Sequence, residues 1–350
     1  MVFSIDPIPR QKYISTLIKT ITDHTGKKQE IVINCPTEID KIIREYYFEL
    51  YKCKDKDITY NNINDYLGEN IKLKQLSVED QRELAQPITM EELDKALKSS
   101  KKHSAPGPSG FTYNWWRKFW PYLKYLLLIT TQSIYNNNRL PKSQSYGMIS
   151  LLPKGEKDRY YLENWRPLTM LSCAYKLISK CIAERINNVL HKLIHKDQNG
   201  FVPGRTIHES LRKTQDIIDH IKKKNKTGMM ILVDFKKAFD SISHEYIYKV
   251  LRSFGFCEYI IKWIKILIGN YYVSTINGGR IANRFKLNRG CKQGDPISSA
   301  IFILAIEILC EKLRNSPTLK GLSYKTGNIL LSLFADDMTI FLEHSEEQLR

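Results

Sequence analysis

An α+β fold containing an antiparallel sheet is the expectation for this sequence of 350 residues, and three observations carry it. Residues 329–342, ILLSLFADDMTIFL, set two apolar runs on either side of the adjacent Asp336 and Asp337, the pattern of two strands joined by a turn. Met229-Met230-Ile231-Leu232-Val233 is a continuous apolar run that predicts a buried central strand, and it ends in Asp234. Asn277-Gly278-Gly279 separates the strand-like segments 271–276 and 281–287 and predicts a hairpin. The segments between read as amphipathic helices, and the length accommodates two or three subdomains around a large core.

Composition narrows the partners. With 42% hydrophobic and 26% charged residues the chain is an ordinary folded protein. Lys and Arg number 54 against 37 Asp and Glu, a formal charge of +17, so the surface attracts polyanions, nucleic acid foremost and anionic membrane second. The seven cysteines are dispersed without a Cys-x-x-Cys pair, and the eight histidines form no metal-binding pattern. Both facts point to reduced thiols in an intracellular protein and away from a structural zinc site. No signal peptide opens the sequence, and the longest apolar stretches, 297–310 and 122–131, are too short to span a bilayer, so no membrane partner is expected.

In chain order, residues 1–75 carry one evident element, a helix with Ile39, Ile42, Ile43, Tyr46, Tyr47, Leu50 and Tyr51 on one face and Thr37 and Asp40 placed to cap it. The polar run 52–70 reads as loop, and no chemistry is visible in this part. Thr89 and Glu92 form a capping box before a helix bearing Leu93, Ala96 and Leu97. The prolines and glycines of 101–110 shape a loop. Phe111, Tyr113, Trp115, Trp116, Phe119 and Trp120 follow at helical spacing, which favours a core role over stacking on bases. Residues 149–154 and 164–169 read as strand, loop and strand, bringing Lys154 and Arg166 to one hairpin mouth. Two cations there can grip a triphosphate or serve as solvated surface charges.

A long helix from Ser172 places Ile178, Cys181, Ile182, Ile186, Val189, Leu190 and Leu193 on one face and stops near 197–200. After a loop containing Arg205, Thr206 and Glu209 cap another helix, which ends in the lysine-rich 222–226. Ile247, Val250 and Leu251 mark a helix closed at Gly255. The loop 289–296 leads into a last helix from Ser298, with Ile301, Leu304, Ala305, Leu309 and Leu313 facing the core. If the strand ending in Asp234 neighbours the 329–342 pair in one antiparallel sheet, Asp234, Asp336 and Asp337 meet at a single edge. Adjacent carboxylates repel, and a divalent cation such as Mg²⁺ is the natural partner; the geometry is that of a two-metal phosphoryl-transfer site.

These residues, taken as a series, resemble the reverse transcriptase of a non-LTR (LINE-type) retrotransposon, with wording similar to the branch of the LINE-1 and Tx1 groups. The resemblance covers about residues 76–350. Ala105-Pro106-Gly107-Pro108-Ser109-Gly110 resembles the extra N-terminal motif. Leu152-Pro153-Lys154 and Asn164-Trp165-Arg166-Pro167-Leu168 resemble the fingers motif, and 198–205 the one after it. Asp234 to Asp240 resembles the first palm motif, 289–298 the motif opening the nucleotide-facing helix, and Phe334-Ala335-Asp336-Asp337 the aspartate pair. Ser109 stands where the family usually has aspartate, and Ser299 where it usually has proline.

The resemblance implies a right-hand polymerase fold, with fingers and an antiparallel palm sheet. It divides the chain into an extension over 1–75, a fingers extension over 76–136 and a reverse transcriptase domain over 137–350, fingers to about 228 and palm beyond. Family members continue into a thumb, so the thumb is expected to be absent and the chain partial. The resemblance also implies that Asp234, Asp336 and Asp337 ligate two Mg²⁺ ions, with Mn²⁺ as an alternative. Lys154, Arg166 and the backbone at Lys237 and Ala238 would bind the incoming dNTP. Phe239 would exclude a 2′-OH, Gln293 would touch the nucleotide, and Gly294 would let the backbone approach closely. Partners would be RNA template, DNA primer or target DNA, and dNTPs, in nucleus and cytoplasm. Two other readings remain: a nucleic-acid-binding remnant without catalysis, and an RNA-dependent RNA polymerase using Asp234 and Asp240 as its paired aspartates.

Overall fold

The structure, a computed structural model, describes residues 13–22, 28–53, 62–68, 71–102, 104–225, 227–324 and 327–343. The expectations for 54–61 and 69–70 of the polar run, for His103 and for Lys226 lie outside these residues. The chain opens with an antiparallel ribbon of β1 (Leu17–Thr22) and β2 (Lys28–Ile33). Helix α1 (Pro36–Leu50) starts on proline, whose missing N–H costs nothing at that position, and buries Ile39, Ile43 and Tyr47. The expected cap is corrected: Cys35 is the N-cap and makes no side-chain capping bond. Asp40 instead pairs with Arg280 at 2.5 Å and accepts from Asn277 at 3.0 Å, tying α1 to a distant hairpin.

The polar run is also not all loop. Asn62 and Asp65 form a capping box on the short α2 (Ile63–Leu67) within it; beyond the run, Ser77 and Asp80 form another on α3 (Val78–Leu84). Thr89 and Glu92 cap α4 (Met90–Lys98) reciprocally, as expected. Glu92 has a second task, a bidentate bond with Arg185, whose Nε and Nη2 each lie 2.6 Å from a carboxylate oxygen. The same guanidinium donates to the carbonyls of Leu84, Gln86 and Pro87, so one buried arginine joins the turn between α3 and α4 to the central helix.

Helix α5 (Tyr113–Asn137) only partly fulfils the core expectation for its aromatics. Tyr113 is buried and Trp116 and Trp120 pack against the core, but Phe111 and Phe119 are exposed, and Trp115 is half-buried between them. The one-face rule fails here because the outer side of the helix carries apolar residues too.

Strands β3 (Tyr146–Pro153) and β4 (Trp165–Met170) form the hairpin that holds the two candidate cations. Helix α6 (Cys173–Leu193), capped by Ser172, buries its apolar residues deeply and keeps Asn188, His191 and Lys192 exposed towards its C-terminal end. The chain packs it closely against the 105–110 loop: a Cβ on Gly107 would lie 2.3 Å from the Leu171 carbonyl atoms. Helix α7 (Ile207–Lys224) is the second corrected cap, since the Thr206 side chain makes no capping bond.

Then come β5 (Met229–Asp234), α8 (Ala238–Ser241), α9 (His244–Ser253) and α10 (Glu258–Gly269). The hairpin of β6 (Tyr271–Asn277) turns through Gly278 and Gly279, at φ +55° and +82°, into β7 (Arg280–Ile281) and β8 (Phe285–Leu287). Helix α11 (Ser298–Arg314), the small ribbon β9 (Leu322–Tyr324) and β10 (Gly327–Ile329), and the hairpin β11 (Leu331–Phe334) and β12 (Asp337–Leu342) complete the described chain.

Two larger sheets organise this. One has the order β4-β3-β6-β7, with β8 also on β6 and with β3 parallel to β6; the other has the antiparallel order β11-β12-β5. The apolar run of β5 therefore lies at an edge rather than the centre, and β12 is the middle strand. Met230 and Leu232 are exposed on one side of β5, Leu232 at 73%, while Met229, Ile231 and Val233 are half-buried on the other. The sheet is covered on one face only at that edge.

Candidate active site

Register in the three-stranded sheet brings the acidic residues together. Phe334 pairs with Asp337 to close the hairpin over the two-residue turn Ala335-Asp336, and Asp337 pairs directly with Asp234 across β12 and β5. Directly opposed antiparallel residues share a face, so Asp234 and Asp337 are neighbours and Asp336 stands beside them on the turn. Ala335 takes a left-handed φ of +59° to make that turn. Burial raises the Asp336 pKa, and the charges of Asp337 and Asp234 raise it further, while its own backbone N–H and Arg166 act in the opposite direction. The three carboxylates thus share one field, which a cation would relieve.

The opposite wall is basic. In the β3–β4 hairpin Leu152 pairs with Arg166 and Pro153 with Trp165, and Lys154 N–H donates to the Asn164 carbonyl at 2.9 Å. That places Lys154 and Arg166 at the hairpin mouth, where they line one cavity of about 470 Å³ with Asp234, Asp336, Lys237, Ala238, Phe239 and Gln293. Asp337 and Gly294 are outside its lining. Gly294, at φ +106°, makes its close approach to β4 instead, since a Cβ there would lie 2.9 Å from the Thr169 carbonyl oxygen. The adjacent Gln293 carbonyl accepts from Thr169 N–H at 2.8 Å, so β4 carries the glutamine to the cavity.

The floor between the two walls is the turn after β5. Lys237 adopts φ +54° at the start of α8, and its ammonium sits over the Tyr46 ring at 5.6 Å. Burial lowers its pKa, and the nearby Lys154 charge does so as well. Phe239 stacks on Phe302 with centroids 4.5 Å apart and meets Phe201 edge-on at 6.1 Å, so its ring is held from two sides. Asp240 is fully buried: Tyr51 donates to its Oδ1 at 2.5 Å, and its Oδ2 has no partner among the described residues. Burial pushes this carboxyl up to about 6 against the pull of Tyr51, Lys237 and Lys154. Asp240 lines the same cavity as Asp234, but Tyr51 takes one of its oxygens and burial favours its neutral form, so its surroundings differ from those of Asp234.

The loop 289–296 is locked down by a charge pair. Lys292 and Asp295 lie 3.3 Å apart, both buried; the ammonium also donates to the Leu267 carbonyl and lies 4.1 Å from the Tyr271 ring centroid. Asp295 accepts from Tyr175 at 2.5 Å and from Ser179. Gly290 N–H donates to Ile242 and Cys291 N–H to Phe239, both at 2.7 Å, which fastens this loop to the Phe239 turn.

Among the described residues, no three His, Cys, Asp or Glu side chains are gathered as a ready-made cation cage. That is compatible with Mg²⁺, which takes one or two carboxylates and completes its shell with water and substrate phosphates. The donor set fits such an ion: hard oxygen ligands, mutually repelling, opposite a lysine and an arginine suited to a polyphosphate. No helix among the described residues is long and apolar enough to cross a membrane.

Sequence reasoning missed Tyr51, which reaches Asp240 from 189 positions away, and the internal pairing of Lys292 with Asp295. The first has no local sign. The second was legible as opposite charges three apart in a glycine-flanked loop.

Carboxylates facing paired cations across one cavity are a donor set suited to phosphoryl transfer from a polyphosphate. The chain belongs to the reverse transcriptase family: the family described as reverse transcriptase (RNA-dependent DNA polymerase) matches residues 152–350. It is 30% identical over 257 residues to the transposon TX1 uncharacterized 149 kDa protein of Xenopus laevis, covering 73% of this chain and 20% of that protein. It is 28% identical over 242 residues to the Pol polyprotein from the type-2 retrotransposable element R2DM of Drosophila melanogaster, covering 69% and 22%. To the RNA-directed DNA polymerase from mobile element jockey of Drosophila funebris it is 24% identical over 262 residues, covering 73% and 27%. The similarity to non-LTR, LINE-type enzymes therefore stands. The chain spans about a fifth to a third of the length of the curated relatives it matches.

Proposed function

We propose that this chain supplies the nucleotidyl-transfer centre of an RNA-directed DNA polymerase of a non-LTR retrotransposon, adding dNTPs to a primer 3′-OH on an RNA template inside the cell. The observation that carries the reading is the single cavity shared by Asp234 and Asp336 on one wall and Lys154 and Arg166 on the other. Two Mg²⁺ ions, or Mn²⁺ in their place, would when bound lower the pKa of the attacking hydroxyl and stabilise the departing pyrophosphate. Asp234 and Asp336 would hold them, with Asp337 adding charge from the next strand position. Lys154 as a point charge and Arg166 as a planar fork would fix the triphosphate, so the chain's own work is positioning and electrostatics. Phe239, wedged between Phe302 and Phe201, would fill the space a 2′-OH needs. The charge of +17 supports RNA and DNA as the macromolecular partners. The β3–β4 hairpin would be fingers, and β5, β11 and β12 palm.

The test is primer extension on poly(rA)/oligo(dT) with dTTP or UTP, in Mg²⁺ and in Mn²⁺. The expected result is incorporation that favours dTTP and is lost in Asp336→Asn, with RNA binding retained. Preference for UTP, no addition under either metal, or activity indifferent to Asp336→Asn would overturn the proposal. A protein that binds RNA but adds nothing would be the non-catalytic remnant.

A further inference from the structure

Asp336 differs from its two neighbours in what holds it. Asp234 and Asp337 lie on the β-ladder, whereas Asp336 sits on the Ala335-Asp336 turn, outside the register. We infer that Gln198 is the positioning residue for Asp336, acting by clamping the backbone of Ala335; this rests on the metal-ligand reading of Asp336 given above.

Gln198 is fully buried. Its Nε2 donates to the Ala335 carbonyl at 3.1 Å, and its Oε1 accepts from the Ala335 N–H at 2.9 Å. A primary amide offers a donor and an acceptor side by side, so one side chain satisfies both backbone groups of one residue, as a neighbouring strand would. Oε1 also accepts from Gly200 N–H at 2.8 Å, which fixes the rotamer. The clamped residue is the one that needs support, since Ala335 occupies the left-handed region that a residue with a Cβ rarely adopts.

The clamp is itself anchored. Leu333 N–H donates to Asp197 at 2.8 Å and Asn199 N–H to Leu333 at 2.9 Å, so residues 197–199 run alongside β11 and deliver the glutamine to the turn. Arg205 donates to the carbonyls of His195 and Gln198 at 2.6 and 2.7 Å, bracing the segment from behind. Gly200 lies so close that a Cβ on it would be 2.0 Å from the Ala335 nitrogen. Gln198 and Gly200 meet Ala335 directly, and the other contacts hold their segment beside the residue preceding Asp336. A free turn would let that carboxylate sample several positions, and groups that orient metal ligands commonly change metal affinity by about 10–100-fold.

The experiment is Mn²⁺ binding followed by electron paramagnetic resonance in the presence of dTTP, without primer or template, for the wild type, Asp336→Asn and Gln198→Met, a variant of similar length without the amide. The expected result is a loss of affinity of about tenfold or more in Gln198→Met, with RNA binding and the circular dichroism spectrum unchanged. Wild-type affinity in a folded Gln198→Met would overturn the clamp. If Asp336→Asn also matches the wild type, it is the metal reading that fails instead. Hydrogen exchange on the wild type needs no variant: the Ala335 amide should be as protected as the β11–β12 ladder. Exchange at the rate of an open loop would overturn the clamp even if Gln198→Met does not fold.

Discussion

Tyr51→Phe deletes one oxygen, yet its effect should depend on pH. The lost hydroxyl donates at 2.5 Å to Asp240, a carboxyl with no exposed surface and an unpartnered second oxygen. Burial pushes that carboxyl up to about 6, whereas an aspartate in the unfolded chain titrates near ~3.9. Between those values the folded state holds the extra proton, so this group makes the wild type less stable as pH rises from about 4 through about 6, by about 3 kcal/mol in total. Tyr51 remains a donor throughout, since burial holds its own pKa well above the ordinary tyrosine value. Its hydrogen bond lowers the Asp240 pKa, so it favours the ionised carboxylate over the neutral acid. Removing it should cost about 1 kcal/mol at pH 5, where the bond joins neutral partners, and about 2–3 kcal/mol at pH 8, where the carboxylate loses its donor. Urea melts of the two proteins at both pH values measure this directly. Equal losses at pH 5 and pH 8, or a larger loss at pH 5, would refute the reasoning.

Two further outcomes follow from the same geometry. Phe239→Ala should raise the ratio of UTP to dTTP incorporation by removing the ring held between Phe302 and Phe201; an unchanged ratio in primer extension would remove Phe239 as the sugar gate. Gly107→Ala should destabilise the fold by at least about 2 kcal/mol, because its Cβ would meet backbone rather than a side chain that can move, and thermal melting within a degree of the wild type would contradict the close packing of this loop on the start of α6.

Local chemistry was legible where a signal is complete within a few residues. The Thr89–Glu92 box, the Asn277-Gly278-Gly279 turn, the helix after Ser172 and the 329–342 hairpin all form as their residues dictate. The nearness of Lys154 and Arg166 was legible too, since each lies at the mouth end of one of two consecutive strands that pair antiparallel. The misses have physical causes. A continuous apolar run usually implies two covered faces, but Leu232 and Met230 are exposed beside Asp234 at the sheet edge. The β1–β2 ribbon is built from lysine, threonine and glutamate as much as from isoleucine, so it has little hydrophobic period to read. Asp40 has the composition of a cap, and the partner that takes it away, Arg280, is 240 positions distant. Tyr51 with Asp240 and Gln198 with Ala335 are the same kind of contact, made by tertiary structure between residues whose neighbours in the chain give no hint of them.

The most direct test of the catalytic centre is where a metal goes. Crystals of the wild type soaked with Mn²⁺ and dTTP should show an anomalous scattering peak touching the carboxylates of both Asp234 and Asp336, with the triphosphate between it and Lys154 and Arg166. Ordered dTTP without a peak at those aspartates, or Mn²⁺ bound at other residues while they stay bare, would contradict the assignment of this cavity as a nucleotidyl-transfer site.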